Sequence, residues 1–147
     1  MTDTKKRSRA PVVIALMMLA AAGIWLGFRL LWSVDSGIPG ETERQRTEYI
    51  ESFGWNTGSV PCEVKEIRIP VNFDEVYEEY NDIQRSQGFD LRKYRAHTVR
   101  QFTYEITRTD DDPVPLLAHL LVENGVIIGA DITSAQAGGF TGALAGK

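Results

Sequence analysis

The residues of this chain that could do chemistry are few: His97, His119, Cys62 and several clustered carboxylates. His97 and His119 are the only histidines, and imidazole can act as an acid, a base or a metal ligand near neutral pH. His119 shares a strand face with Leu117 and Leu121, so its plainer reading is a core histidine held by a hydrogen bond. Asp131 is the carboxylate nearest in the same hairpin. A regular two-residue hairpin pairs 131 with 118, which sends the two side chains to opposite faces. Cys62 would need a lowered pKa and a base to act as a nucleophile, and Glu63 and Glu66 beside it oppose the first. It reads as a packed or incidental thiol, or as one that pairs between chains in an oxidising exterior. Asp110, Asp111 and Asp112 offer oxygens for calcium, but the spacing lacks the alternate ligands, glycine and glutamate of an EF-hand loop. A solvated turn is the simpler reading. Glu75, Glu78, Glu79 and Asp82 lie off an apolar helical stripe and read as a solvated face. Arg92, Lys93 and Arg95 form a small basic cluster, read as a solvated loop with anionic polymer or lipid headgroups as the sharper alternative. Phosphate loops, nucleophile elbows and zinc spacings are missing from the sequence. No catalytic, metal-ligating or cofactor-binding residue is assigned, and no cofactor is expected.

The elements that would position these residues can be read from periodicity. Glu41 to Phe53 reads as a helix with Tyr49, Ile50 and Phe53 on one face, ended by Gly54, its early part charged and solvated. Trp55 follows as a lid on the core. Glu63 to Ile69 reads as a short strand closed by Pro70. A second helix starts at Asn72 as N-cap and carries the stripe Phe73, Val76, Tyr77, Tyr80 and Ile83, with Gly88 as its stop. Val99 to Thr107 alternates strictly: Phe102, Tyr104 and Ile106 face inward, Gln101, Thr103 and Glu105 face water. Leu116–Glu123 and Val126–Thr133 flank Asn124-Gly125, a strong hairpin signal. The order α-β-α-β-β-β predicts a small α+β domain, with a mainly antiparallel four-stranded sheet and two helices on one face. The hairpin is apolar on both faces. Leu116, Leu120, Val122 and Ile127 form the set left without a helix; it needs a cover from the tail, another copy or a partner, and so is the candidate interaction surface.

Before this domain the chain is different. Lys5, Lys6, Arg7 and Arg9 precede an unbroken apolar run of 18 residues from Pro11 to Phe28, extended past Arg29 to Trp32. At about 1.5 Å per residue the run spans roughly 27 Å, close to the bilayer core. Trp25, Phe28 and Trp32 gather at one end, as interfacial rings do. The expected organisation is a cytoplasmic basic leader at 1–10, a single-pass transmembrane helix or signal anchor at 11–32, a linker at 33–40 and an extracytoplasmic domain at 41–147. The alternative is a signal peptide cleaved near Ala22, with secretion of the rest. Net charge is −4, and residues 1–32 carry +4, so the outer part is acidic and offers no nucleic-acid footprint.

The stretch Tyr49-Ile50-Glu51-Ser52-Phe53-Gly54-Trp55, the pair Ile69-Pro70, and Phe73-Asp74-Glu75-Val76-Tyr77 carry a resemblance. So do Tyr80-Asn81-Asp82-Ile83-Gln84, Gln87-Gly88-Phe89-Asp90-Leu91 and Tyr94. Together they resemble the bacterial, mainly Firmicutes, family called domain of unknown function 4830, over about residues 44–140. The family's Gly-Gly-Asp-Val-Cys-Ser near the end is matched here by Gly129-Ala130-Asp131-Ile132-Thr133-Ser134, without the second glycine or the cysteine. The resemblance implies a small membrane-anchored or secreted bacterial protein. It implies no reaction and transfers no functional residue.

The expectation for function is a membrane-anchored extracytoplasmic domain that is non-catalytic and binds a protein or other component of the envelope. Its partners would be the lipid bilayer, through the N-terminal helix, and an envelope protein or a second copy. An envelope hydrolase with a histidine-containing site and a self-associating structural module are the alternatives.

Overall fold

Strict alternation around Phe102, Tyr104 and Ile106 makes the strand to which the rest of the sheet is attached. The computed structural model describes residues 37–108, 116–134 and 139–145. The leader at 1–10, the apolar run at 11–32, linker residues 33–36 and Asp110–Asp112 lie outside the described residues. Within residues 37–147, one unit by its own contacts, the elements are β1 (Ile38–Pro39), α1 (Glu43–Glu51), β2 (Asn56–Thr57), β3 (Glu63–Arg68), α2 (Glu75–Arg85), a 3-10 turn (Leu91–Tyr94), β4 (Thr98–Thr107), β5 (Leu116–Glu123), β6 (Val126–Ser134) and β7 (Thr141–Gly142). Among the described residues no helix is long and apolar enough to cross a membrane.

The α+β class and the antiparallel sheet agree with expectation, but the sheet has seven strands rather than four. The four long ones, β3-β4-β5-β6, are those read from the sequence. The added β1, β2 and β7 are two residues each, too short to show a period. β1 and β7 pair with β6, and β2 joins β3 along one edge of β4. β1 lies inside the expected linker.

The hairpin turn forms as expected: Asn124 (φ 49°) and Gly125 (φ 79°) both adopt the left-handed conformation that a tight two-residue connection needs. The register beyond it does not. Val122 faces Ile127, but Leu121 faces Gly129, so Ile128 is an extra residue and the strand carries a bulge. From there on every partner is shifted by one. Ala118 faces Ile132, and His119 faces Asp131.

Helices cover both faces of the sheet, not one. On the first face, Phe102, Tyr104, Ile106, Ala118, Leu120, Val122, Ile127, Ala130 and Ile132 pack with Ile50 of α1, Trp55 and Leu144. On the second, Val99, Leu121 and Ile128 pack with Ile69 and Leu91, and Phe73, Tyr77 and Tyr80 close around them. Trp55 is buried as the expected lid, and its indole N–H donates to the carbonyl of Leu144 (2.8 Å).

Both helices differ in detail from expectation. Thr42 caps α1 through a capping box with Gln45. Arg46, expected in water, is buried. Its guanidinium lies 3.8 Å over the Phe102 ring, and it donates to Tyr104 Oη (2.9 Å) and to the carbonyls of Gly40 and Glu41. The cap of α2 is Asp74, not Asn72, because the Asp74 carboxylate accepts the Tyr77 N–H at 2.8 Å. Only part of the α2 stripe meets the core. Its two buried residues are Asn81 and Gln84, while Val76 is 74% exposed.

Candidate functional site

The bulge at Ile128 brings polar residues into one row on the second face. Glu63 faces Thr103, Thr103 faces His119, and His119 faces Asp131, one residue from each of four adjacent strands. Tyr80 of α2 reaches the end of the row and donates its hydroxyl to Asp131 Oδ2 at 2.7 Å. The expectation that Asp131 and His119 point to opposite faces is thus corrected. Hydrophobic residues on both sides of β6 gave no periodic signal to reveal the extra residue. A carboxylate inside an apolar strand was the available clue, because only the bulged register gives it a polar neighbour.

The row runs from exposed Glu63 through half-buried His119 to Asp131, its most enclosed ionisable group. Asp131 is 3% exposed, and burial raises its pKa above the ordinary carboxylate value, opposed by the His119 charge and the Tyr80 hydrogen bond. Burial also lowers the His119 pKa, favouring a neutral ring. Gln101 Nε2 sits 2.7 Å from His119 Nδ1, which assigns that nitrogen as acceptor. The ring proton then lies on Nε2, facing Thr133 Oγ1 at 3.4 Å. Both ring nitrogens have partners, as in a satisfied core histidine. Burial pushes the Tyr80 phenol well above its ordinary value, with Asp131 adding to the shift. Thr103 Oγ1 is buried and has no hydrogen-bond partner among the described residues.

The other sequence candidates are dispersed. His97 Nδ1 lies 2.6 Å from Glu123 Oε1 at an exposed site, away from the row. Cys62 is exposed and free, its thiol donating to the Thr103 carbonyl (3.3 Å) beside a concavity of about 420 Å³ shared with Val60, Glu105 and Thr107. Arg92 pairs with Glu78, and Arg95 lies 5.0 Å over the Phe73 ring, so the basic cluster is partly engaged within the chain. Among the described residues no group of three or more His, Cys, Asp or Glu is placed to hold a metal ion. Leu120, Val122 and Ile127 are buried and Leu116 is half-buried, beneath Ile50, Trp55 and Leu144. The face expected to be open is covered by α1 and the C-terminal segment of the same chain.

A second concavity, with apolar and aromatic walls, lies along α2. Val76, Tyr77, Glu79, Tyr80, Ile83 and Thr141 line a cleft of about 460 Å³. It exists because α2 is turned to aim Asn81 and Gln84 inward. Asn81 Oδ1 accepts the Leu91 N–H (2.8 Å), and Gln84 Oε1 accepts the Ala130 N–H (2.8 Å). Gly129 permits this close approach, since a Cβ there would meet Gln84 Oε1 and Leu121 Cδ1 at 3.1 Å. These bonds fix the helix by its amides, and the outer part of its apolar stripe is left facing solvent. The stripe read from the sequence includes Val76, which is exposed here, because a stripe shows its width but not which part of it is buried.

The family described as domain of unknown function (DUF4830) matches residues 49–132, from the end of α1 to β6, which takes in the four-strand row and the whole of α2. No curated protein and no solved structure matches the chain.

Proposed function

The chain belongs to the family domain of unknown function 4830, and for this member we propose a membrane-tethered, extracytoplasmic domain of the bacterial envelope that binds a partner protein rather than turning over a substrate. The observation that carries the reading is the α2 cleft, an open apolar concavity with Val76 74% exposed at its wall. Concavities of a few hundred Å³ with apolar and aromatic walls are the usual form of binding sites. The chemistry-bearing side chains supply the complementary support: Tyr80 donates to Asp131, and the His119 ring is held between Gln101 and Thr133. The tether rests on the 18-residue apolar run from Pro11 behind four basic residues, which favours an N-terminus in the cytoplasm and the domain outside. Secretion after cleavage near Ala22 is the alternative. Intact mass of the mature chain separates the two, a start at Gly23 excluding the anchor.

The test is crosslinking in cells with a carboxy-terminal tag, followed by mass spectrometry of what copurifies from the membrane fraction. A specific envelope protein is the expected result. Crosslinks only between copies would replace this reading with a self-associating module, and no crosslinked protein at all would overturn it. An envelope hydrolase is the second reading, favoured by the row Glu63, Thr103, His119 and Asp131. It requires His119→Gln to abolish function in the cell while the protein remains folded and in the membrane.

A further inference from the structure

The outer row of α2 runs Val76, Glu79, Tyr80 and Ile83, at steps of three and four residues, so these side chains stand along one edge of the cleft. Val76 at one end of the row is exposed and Ile83 at the other is half-buried, while Tyr80 turns its hydroxyl inward to Asp131. Glu78 pairs with Arg92 and Asp82 with Arg85. Among the described residues Glu75 and Glu79, one turn apart on the exposed side of the helix, take part in no ion pair. The surroundings are acidic as well: residues 37–147 hold 11 Lys and Arg against 18 Asp and Glu.

Resting on the binding-module reading, we propose that this cleft receives a basic, apolar segment of a partner protein. One or two bulky apolar side chains of the segment enter between Val76, Tyr80, Ile83 and Thr141, and its flanking Lys or Arg residues face Glu75 and Glu79. The charge pattern selects this occupant. A second copy of the chain would bring the same acidic rim against itself, and an anionic lipid surface would be repelled in the same way. Apolar contact supplies affinity, and the opposite charges supply orientation and rate of encounter.

The test uses the full chain in neutral maltoside micelles and the fluorescein-labelled peptide Lys-Lys-Leu-Ile-Phe-Lys-Lys, with a version carrying Glu at each Lys position. Fluorescence anisotropy is expected to show saturable binding of the basic peptide, weakening as salt is raised, and no binding of the acidic one. Val76→Ser is expected to weaken the basic peptide at least threefold, and Glu75→Lys with Glu79→Lys at least tenfold. These side chains are exposed, and circular dichroism checks that the variants stay folded. Equal binding of both peptides, no binding of the basic one, or affinity unchanged by Val76→Ser overturns the proposal. So does a dimer in sedimentation that Val76→Ser dissociates. If crosslinking in cells recovers a partner while the peptide test fails, the binding module stands and this occupant falls. If the peptide binds but no cellular partner is found, the cleft chemistry stands and the module's role falls.

Discussion

On the α1 face of the sheet, Leu120, Val122 and Ile127 meet Ile50 and Trp55 through apolar surface. On the α2 face the same strands present Thr103, His119 and Asp131 to a helix whose buried residues are Asn81 and Gln84. Apolar burial is non-directional and tolerates many arrangements of similar volume. Hydrogen bonds between buried groups have few geometries, and a buried group left unpaired costs free energy. The first face therefore supplies cohesion and the second supplies register. A hairpin without the bulge would still bury its leucines and isoleucines, but it would separate Asp131 from His119.

The contrast can be broken by measurement. The largest effect is expected from Leu120→Ala, which removes a fully buried side chain and should cost about 2–5 kcal/mol in urea denaturation. Tyr80→Phe should cost less, about 1–3 kcal/mol, because it strips the hydrogen bond from a buried carboxylate. That bond favours ionised Asp131, so the cost should shrink in acid, where Asp131 is protonated in both chains. A loss from Tyr80→Phe that is the same at every pH would place the bond outside the energetics of the second face.

A smaller effect concerns pH. Burial holds the His119 pKa below its ordinary 6.5, so as pH falls below about 6.5 the unfolded chain gains a proton that the folded chain does not. Stability conferred near neutrality is thus lost through that window, until pH passes the folded value. Asp131 runs the opposite way: its raised pKa keeps a proton on the folded chain, so its contribution falls as pH rises from about 3.8 to the folded value. His119→Gln should flatten the decline between pH 7 and 5.5 and leave the Asp131 contribution. Denaturation midpoints at three pH values check this, and parallel profiles for the two proteins would remove His119 from the account. The smallest effect is expected at Val76→Ser, within about 0.5 kcal/mol, since the side chain faces solvent. A larger loss would mean that the α2 cleft is part of the core.

What could be read in the sequence follows the same division. The strict alternation of Phe102, Tyr104 and Ile106 and the turn at Asn124-Gly125 are local signals, and both elements form. The bulge at Ile128 was hidden because Leu, Val and Ile occupy both sides of the hairpin, and a period of two vanishes when both faces are apolar. The same ambiguity made Leu116, Leu120, Val122 and Ile127 look uncovered, when α1 and Leu144 close over them from positions far away in sequence. The inward turn of α2 was illegible for a different reason: Asn81 and Gln84 read as surface residues until their backbone partners at Leu91 and Ala130 are known.

Those amides have a consequence for motion. Between β1 and β7 the outer edge of β6 meets the helix: the N–H of Ala130 donates to Gln84 Oε1 and its carbonyl accepts from Gln87 Nε2 at 2.7 Å. A strand amide held by a helical side chain exchanges with solvent when the helix lifts, even while the sheet stays paired. Deuterium uptake at Ala130 thus serves as a clock for the departure of α2. Amides inside the β4–β5 ladder time the opening of the sheet itself, so the two events can be dated separately in one molecule.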